Sequence, residues 1–179
     1  HSGYKGVLNL NKANADCFIS NNVFYGNDVP ISTNADLSFD DSNIFHNPDD
    51  ETETNTMNGI FTDSYTIDGE VVWMETEVAF VIANESTFRI EDLASLTLGP
   101  DVVIKVVEGS EIDLGSDPGK IINQNGPGVF YTSIFDDSLK GDTNGDGSQT
   151  GPASGDWDGI IINHSPRTFA AWTNILYAK

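Results

Sequence analysis

The chain has 179 residues, 38% of them hydrophobic, with 8 Lys plus Arg against 28 Asp plus Glu, a formal charge of −20 and a pI near 4.1. That length suffices for one sizeable core and requires no second domain. The charge argues against nucleic acid as a partner, since phosphate binding needs a basic face to release counterions, and no run approaches the roughly 20 apolar residues of a membrane span. Strong acidity leaves three readings open: attraction of cations, solubility in a salty exterior, and avoidance of aggregation. The one cysteine, Cys17, has no internal partner for a disulfide and reads as a small apolar core residue, so cysteine usage leaves the redox compartment open.

The first element is an internal echo. NNVFYGND (Asn21 to Asp28) is followed by SNIFHNPD (Ser42 to Asp49), so that Asn22, Val23 and Phe24 match Asn43, Ile44 and Phe45, and Phe18 matches Phe39, at a spacing of 21. One turn of a β-solenoid takes about that many residues, with apolar side chains stacking inward at equivalent positions. The asparagine before each apolar pair is expected to cap a turn. After Pro48 the stretch DDETETNTMNG is acidic and threonine-rich, so residues 48–63 read as an exposed loop or a seam.

From Tyr65 onward short alternating stretches predict strands: Val78, Phe80 and Ile82; Phe88 and Ile90; Leu96 and Leu98; Val102, Ile104 and Val106; Ile112 and Leu114. Each has period two and is bounded by Gly, Pro, Asp, Asn or Ser, and no window carries a capped 3.6-residue stripe. The sequence predicts an all-β chain with little or no helix, a solenoid in preference to a sandwich, in one domain over residues 1–179.

Within LTLGPDVVIKVVEGSEIDLG, the order Gly99-Pro100, Val102 to Lys105, Gly109-Ser110, then Ile112 and Leu114 resembles the repeats of right-handed parallel β-helices of secreted and surface bacterial proteins, the pectate-lyase-like superfamily in the broad sense. VFYTSIFDD (Val129 to Asp137) resembles the strand that precedes an excursion in such proteins, and GDWDGIII the element that brings the chain back. The resemblance runs from about Asn9 to Ala178. It implies roughly six or seven coils, an extracellular or cell-surface location, a loop excursion at 136–159, and no particular function.

The excursion itself, DDSLKGDTNGDGSQTGPASGDWDG, sets Asp142, Asn144 and Asp146 two residues apart, then Gly147 and Ser148. Alternate oxygens of that kind can turn toward one hard cation while the glycine permits a sharp turn, which points to calcium. The twelfth position holds Ala153 where an EF-hand has a bidentate Glu. The remaining ligand is therefore sought in Asp156 or Asp158, in Asp136 or Asp137, or in backbone and water; an acidic solvated turn is the alternative.

Trp73, Trp157 and Trp172 admit a role in stacking on sugar rings or in filling the coil. No catalytic residue is assigned: Arg89 and Arg167 sit beside no lyase motif, Asp136-Asp137 is an adjacent pair without partners, and His164 reads as a polar residue at a strand end. The expected function is a non-catalytic, calcium-stabilised module of a larger surface or secreted protein, with neighbouring domains and a polysaccharide or cell-surface glycan as partners. A polysaccharide lyase or glycoside hydrolase acting on acidic polysaccharide, and a plain spacer, are the alternatives.

Overall fold

A computed structural model describes residues 17–63, 65–83, 85–117 and 120–179; the Asn9 to Asp16 part of the resemblance lies outside these. The described chain is all-β, with three five-stranded sheets and no α-helix. The first sheet orders β1 (Phe18–Ile19), β3 (Ser38–Phe39), β8 (Glu70–Trp73), β11 (Ser95–Leu98) and β14 (Ile121–Ile122). The second orders β7 (Thr66–Ile67), β10 (Thr87–Ile90), β13 (Glu111–Asp113), β16 (Gly159–His164) and β17 (Arg167–Phe169). The third orders β2 (Ile31–Thr33), β6 (Gly59–Thr62), β9 (Ala79–Ile82), β12 (Val103–Val106) and β15 (Phe130–Ser133). All pairings in these sheets are parallel except β16 with β17. From β6 to β14 the chain visits the third, second and first sheets in turn, three times over.

Register explains why the alternating apolar pattern is needed. Ile31, Ile60, Phe80, Ile104 and Tyr131 are successive partners across the third sheet, and all five are buried. Phe88, Ile112 and Ile160 form the matching column of the second sheet, and Leu98, Trp73 and Phe39 that of the first. Every residue of the predicted alternating stretches from Val78 to Leu114 is buried. Each such side chain contributes about 1.5–3 kcal/mol when fully removed from water. Aromatic rings fill the centre: Trp73 stacks on Phe80 at 4.3 Å, and Phe39 meets Phe80 edge-on at 5.6 Å.

The 21-residue echo forms as a pair of stacked corners. Val23 bridges Ile44 in parallel, Phe24 stacks on Phe45 at 5.3 Å, and Asn22 donates through both its amide and Nδ2 to Asn43 Oδ1 at 3.3 and 3.1 Å. The expected Phe18–Phe39 match is corrected: Ile19 pairs with Phe39, and Phe18 pairs with Ser38. A slip of one residue turns a strand over, so Ile19 is buried and Phe18 is exposed. Residues 48–63 hold the exposed strand β5 (Asp50–Thr54), which folds back antiparallel on the half-buried β4 (His46–Asn47) just before it, and then re-enter the third sheet as β6.

The third sheet is buried on both faces. The whole of β6, β9 and β12 is inaccessible, because a second cluster of Phe61, Val81 and Ile134, joined by Met57, Val107 and Phe135, covers the face away from the core. The covering segment follows β15. It lies so close that a methyl group on Gly59 would meet Thr143 Cγ2 at 2.8 Å.

Candidate metal centre

The excursion leaves β15 at Ser133 and returns at Gly159. Its start is fixed by short local bonds: Thr132 Oγ1 donates to Asp136 Oδ2 at 2.7 Å, and the amide and hydroxyl of Ser138 donate to Asp136 Oδ1 at 3.1 and 2.5 Å. Its middle is pinned from below by Lys105, fully buried on β12, whose ammonium donates to the Gly141 carbonyl at 2.6 Å and to Thr143 Oγ1 at 2.7 Å. Burial pushes the Lys105 ammonium down to about 8, opposed by the nearby carboxylates of Asp137, Asp136 and Asp142. Its far end is tied by Asp156, which accepts from Ser133 Oγ at 2.6 Å and from the Ala153 amide at 2.9 Å.

Above Lys105 the carboxylates of Asp137, Asp142 and Asp146 converge, with one oxygen of each lying within 4.8 Å of the others. Asp142 is shaped by the glycines that follow it, accepting from the Gly145 and Gly147 amides at 2.7 Å each. Asp146 accepts from Asn144 Nδ2 at 2.8 Å and from the Thr150 hydroxyl, and the latter bond chiefly holds its carboxyl below the usual range. Asp137 is the strained member: its Oδ1 is buried without a hydrogen-bond donor. Burial first, and the negative charge of Asp142 next, raise its carboxyl. Three hard carboxylate oxygens within reach of one another form a set suited to calcium, which takes carboxylate oxygens in flexible geometry.

The placement differs in part from the ligand set expected from sequence. Asp142 and Asp146 come together, and Asp137, one of the reserve residues, joins them. Asn144 turns its amide nitrogen to Asp146, Ser148 is exposed, and Asp136 is committed to Thr132 and Ser138. Asp156 is drawn to Ser133 and Asp158 to the Lys179 ammonium at 2.5 Å. Among the described residues neither joins the acidic group; both tie down the returning strand.

The tryptophans also divide. Trp73 and Trp157 are inside the core, with Nε1 donating to the carbonyls of Leu37 and Leu176 at 3.1 and 2.9 Å. No ring face is left for a sugar, so of the two uses the sequence leaves open these two tryptophans take packing. Trp172 is half-buried, 5.8 Å from the Tyr131 ring.

Two ionic groups were not foreseen. On the outer face of the second sheet, buried Asp113 receives Arg89 Nε and His164 Nε2 at 3.0 Å each, while the neighbouring Glu111 pairs with Arg167. The register that sets β10, β13 and β16 side by side creates this grouping, and sequence spacing alone does not reveal it. At the corner between β8 and β9, Glu75 is fully buried, and burial raises its carboxyl to about 7 against the amide of Glu77, which lowers it. Nearby, His46 Nδ1 lies 2.6 Å from Glu77 Oε1. That contact chiefly raises the imidazole's pKa.

Among the described residues no helix is long and apolar enough to cross a membrane. Compared with known proteins, the chain matches no family model, no curated protein and no solved structure.

Proposed function

We propose that the chain is a right-handed parallel β-helix acting as a non-catalytic, calcium-stabilised module of a larger extracellular or cell-surface protein, serving adhesion or glycan contact. Three parallel sheets visited in cyclic order support the coil, and parallel crossover connections are right-handed in nearly all cases. The described part holds five strands in each sheet, the last of the second sheet antiparallel, and Ile175 adds a parallel bridge beyond Tyr131. Stacked coils suit a long, stiff, protease-resistant face because each covers its neighbour's edges.

The observation that carries the calcium part is the convergence of Asp137, Asp142 and Asp146 over a segment that covers the third sheet. An ion there would offset carboxylate repulsion and hold the cover in place, a structural task. Bound calcium would supply charge and coordination; Lys105, Thr132 and Ser133 orient the surrounding loop.

One observation favours a second reading, a polysaccharide lyase or hydrolase: Arg89, His164 and Arg167 gather around Asp113 and Glu111 on adjacent strands. In each contact the base is already held by an acid, which favours a structural network. Incubation with polygalacturonate and with alginate in calcium, followed by absorbance for unsaturated products and by reducing-end assay, separates the two. The non-catalytic reading expects neither signal, and calcium-dependent product formation would overturn it. A plain spacer predicts no retention on a glycan array.

A further inference from the structure

The glycan reading acquires a location at the C-terminal end of the chain. A cleft of about 300 Å³ lies there, lined by Phe169, Trp172 and Tyr177 together with Gly159 and the Asp158–Lys179 ion pair. Gly159 keeps the space open beside Phe169: its φ is +108°, and a methyl group there would stand 3.2 Å from the Phe169 ring. Tyr177 is held at φ +59°, and its carbonyl accepts from the Gly155 and Asp156 amides at 3.0 and 3.1 Å. A bulky residue in the left-handed region is costly and persists where its surroundings over-determine it, as they do at ligand clamps.

We propose that this cleft binds one neutral pyranose ring at the end of a glycan. The volume is at the lower end of small-molecule sites, about 300–1,000 Å³, which favours a single ring over an extended chain. Aromatic faces offer apolar surface to the C–H face of a sugar. The Asp158 carboxylate and the Lys179 ammonium are paired with each other at 2.5 Å, and the acceptor and donor positions that the pair leaves over, on a Lys179 side chain 63% exposed, can meet hydroxyls. The net charge of −20 disfavours an anionic sugar. This inference rests on the glycan-contact reading and adds to it the site and the sugar class.

The test is isothermal titration of the full chain, in calcium, with the methyl pyranosides of glucose, galactose and mannose, with N-acetylglucosamine, and with galacturonate. The expected result is binding of at least one neutral sugar, weakened about tenfold in Trp172→Ala and in Tyr177→Gly, the loss of one stacking ring. Tyr177→Gly removes the ring while relieving the positive φ, which offsets part of the lost packing, and it decides the matter if Trp172→Ala fails to fold. Absence of binding by every neutral sugar, equal binding by Tyr177→Gly, or tighter binding of galacturonate overturns the proposal. A glycan-array hit that survives both substitutions would remove this site yet keep glycan contact; an array with no hit would remove both.

Discussion

The Lys105 ammonium lies 2.7 Å from the Thr143 hydroxyl, 38 residues later in the chain, so a strand of the third sheet anchors the excursion that carries the acidic cluster. Lys105→Met keeps the length and apolar stem but takes the donor from Thr143 Oγ1 and one of two donors from the Gly141 carbonyl, which keeps the Thr143 hydroxyl at 3.2 Å. A buried polar group left unpaired costs about 1–3 kcal/mol. The variant is expected to lose about 2 kcal/mol in urea unfolding at unchanged slope, and to be nicked by protease within residues 134–158 sooner than the parent. An unchanged unfolding midpoint would show that the covering segment does not depend on this anchor.

The same contact face makes Gly59 a test of close approach. Gly59→Ala places a methyl group 2.8 Å from Thr143 Cγ2 and 3.2 Å from the Ala79 carbonyl, an overpacking expected to cost about 1–3 kcal/mol. Thr143→Ser removes the opposing methyl group and keeps the hydroxyl for Lys105. In a double-mutant cycle it is expected to recover part of the Gly59→Ala loss; strict additivity would place the conflict elsewhere.

Much of the scaffold was legible because period-two alternation reports one buried face, and residues such as Phe80, Ile104 and Ile112 proved buried as that pattern requires. Less visible was the second buried face of the third sheet. Its signal was present in the unbroken apolar runs around VAFVIA and VVIKVV, which mark strands covered on both sides. Lys105 inside the second run concealed it. The Asp142–Asp146 alternation marks a loop in which three carboxylates converge, but only the fold shows Asp137 turning in and Asp158 turning to Lys179. Local spacing does not encode which carboxylates a distant cation draws away.

Asn43 ties the end of β1 to the segment that follows β3 through one side chain. Its Nδ2 donates to the carbonyls of Ile19 and Asp40 at 3.1 and 3.3 Å, and its Oδ1 accepts from Asn22. Asn43→Ala is expected to destabilise by about 2–3 kcal/mol, since several buried groups lose partners at once. Asn47→Ala, which breaks an exposed bond to Glu53, is expected to stay within about 0.5 kcal/mol. Equal thermal melts for the two variants would contradict the asparagine ladder.

Glu75 gives a pH dependence of defined sign. Its carboxyl titrates near 7 in the fold against an ordinary 4.5, so between those values the folded state holds a proton that the unfolded state has released. Stability from this group is greatest below 4.5 and declines as pH rises toward 7, by a total of about 2–3 kcal/mol. Glu75→Gln is expected to flatten that decline and to be more stable than the parent at pH 8. His46, raised chiefly by Glu77, adds a decline of the same sign, which His46→Gln removes separately. A parent whose chemical stability rises from pH 4.5 to 7 while Glu75→Gln follows the same curve would contradict the assignment.

The measurement that bears most directly on a calcium-stabilised scaffold is calorimetric melting of the full chain in calcium and in chelator, beside Asp142→Asn and Asp146→Asn, with bound metal counted by elemental analysis. The account predicts a higher melting temperature for the parent in calcium, one bound ion, and a shift lost in both variants. Identical melts in calcium and chelator with no bound metal would contradict it.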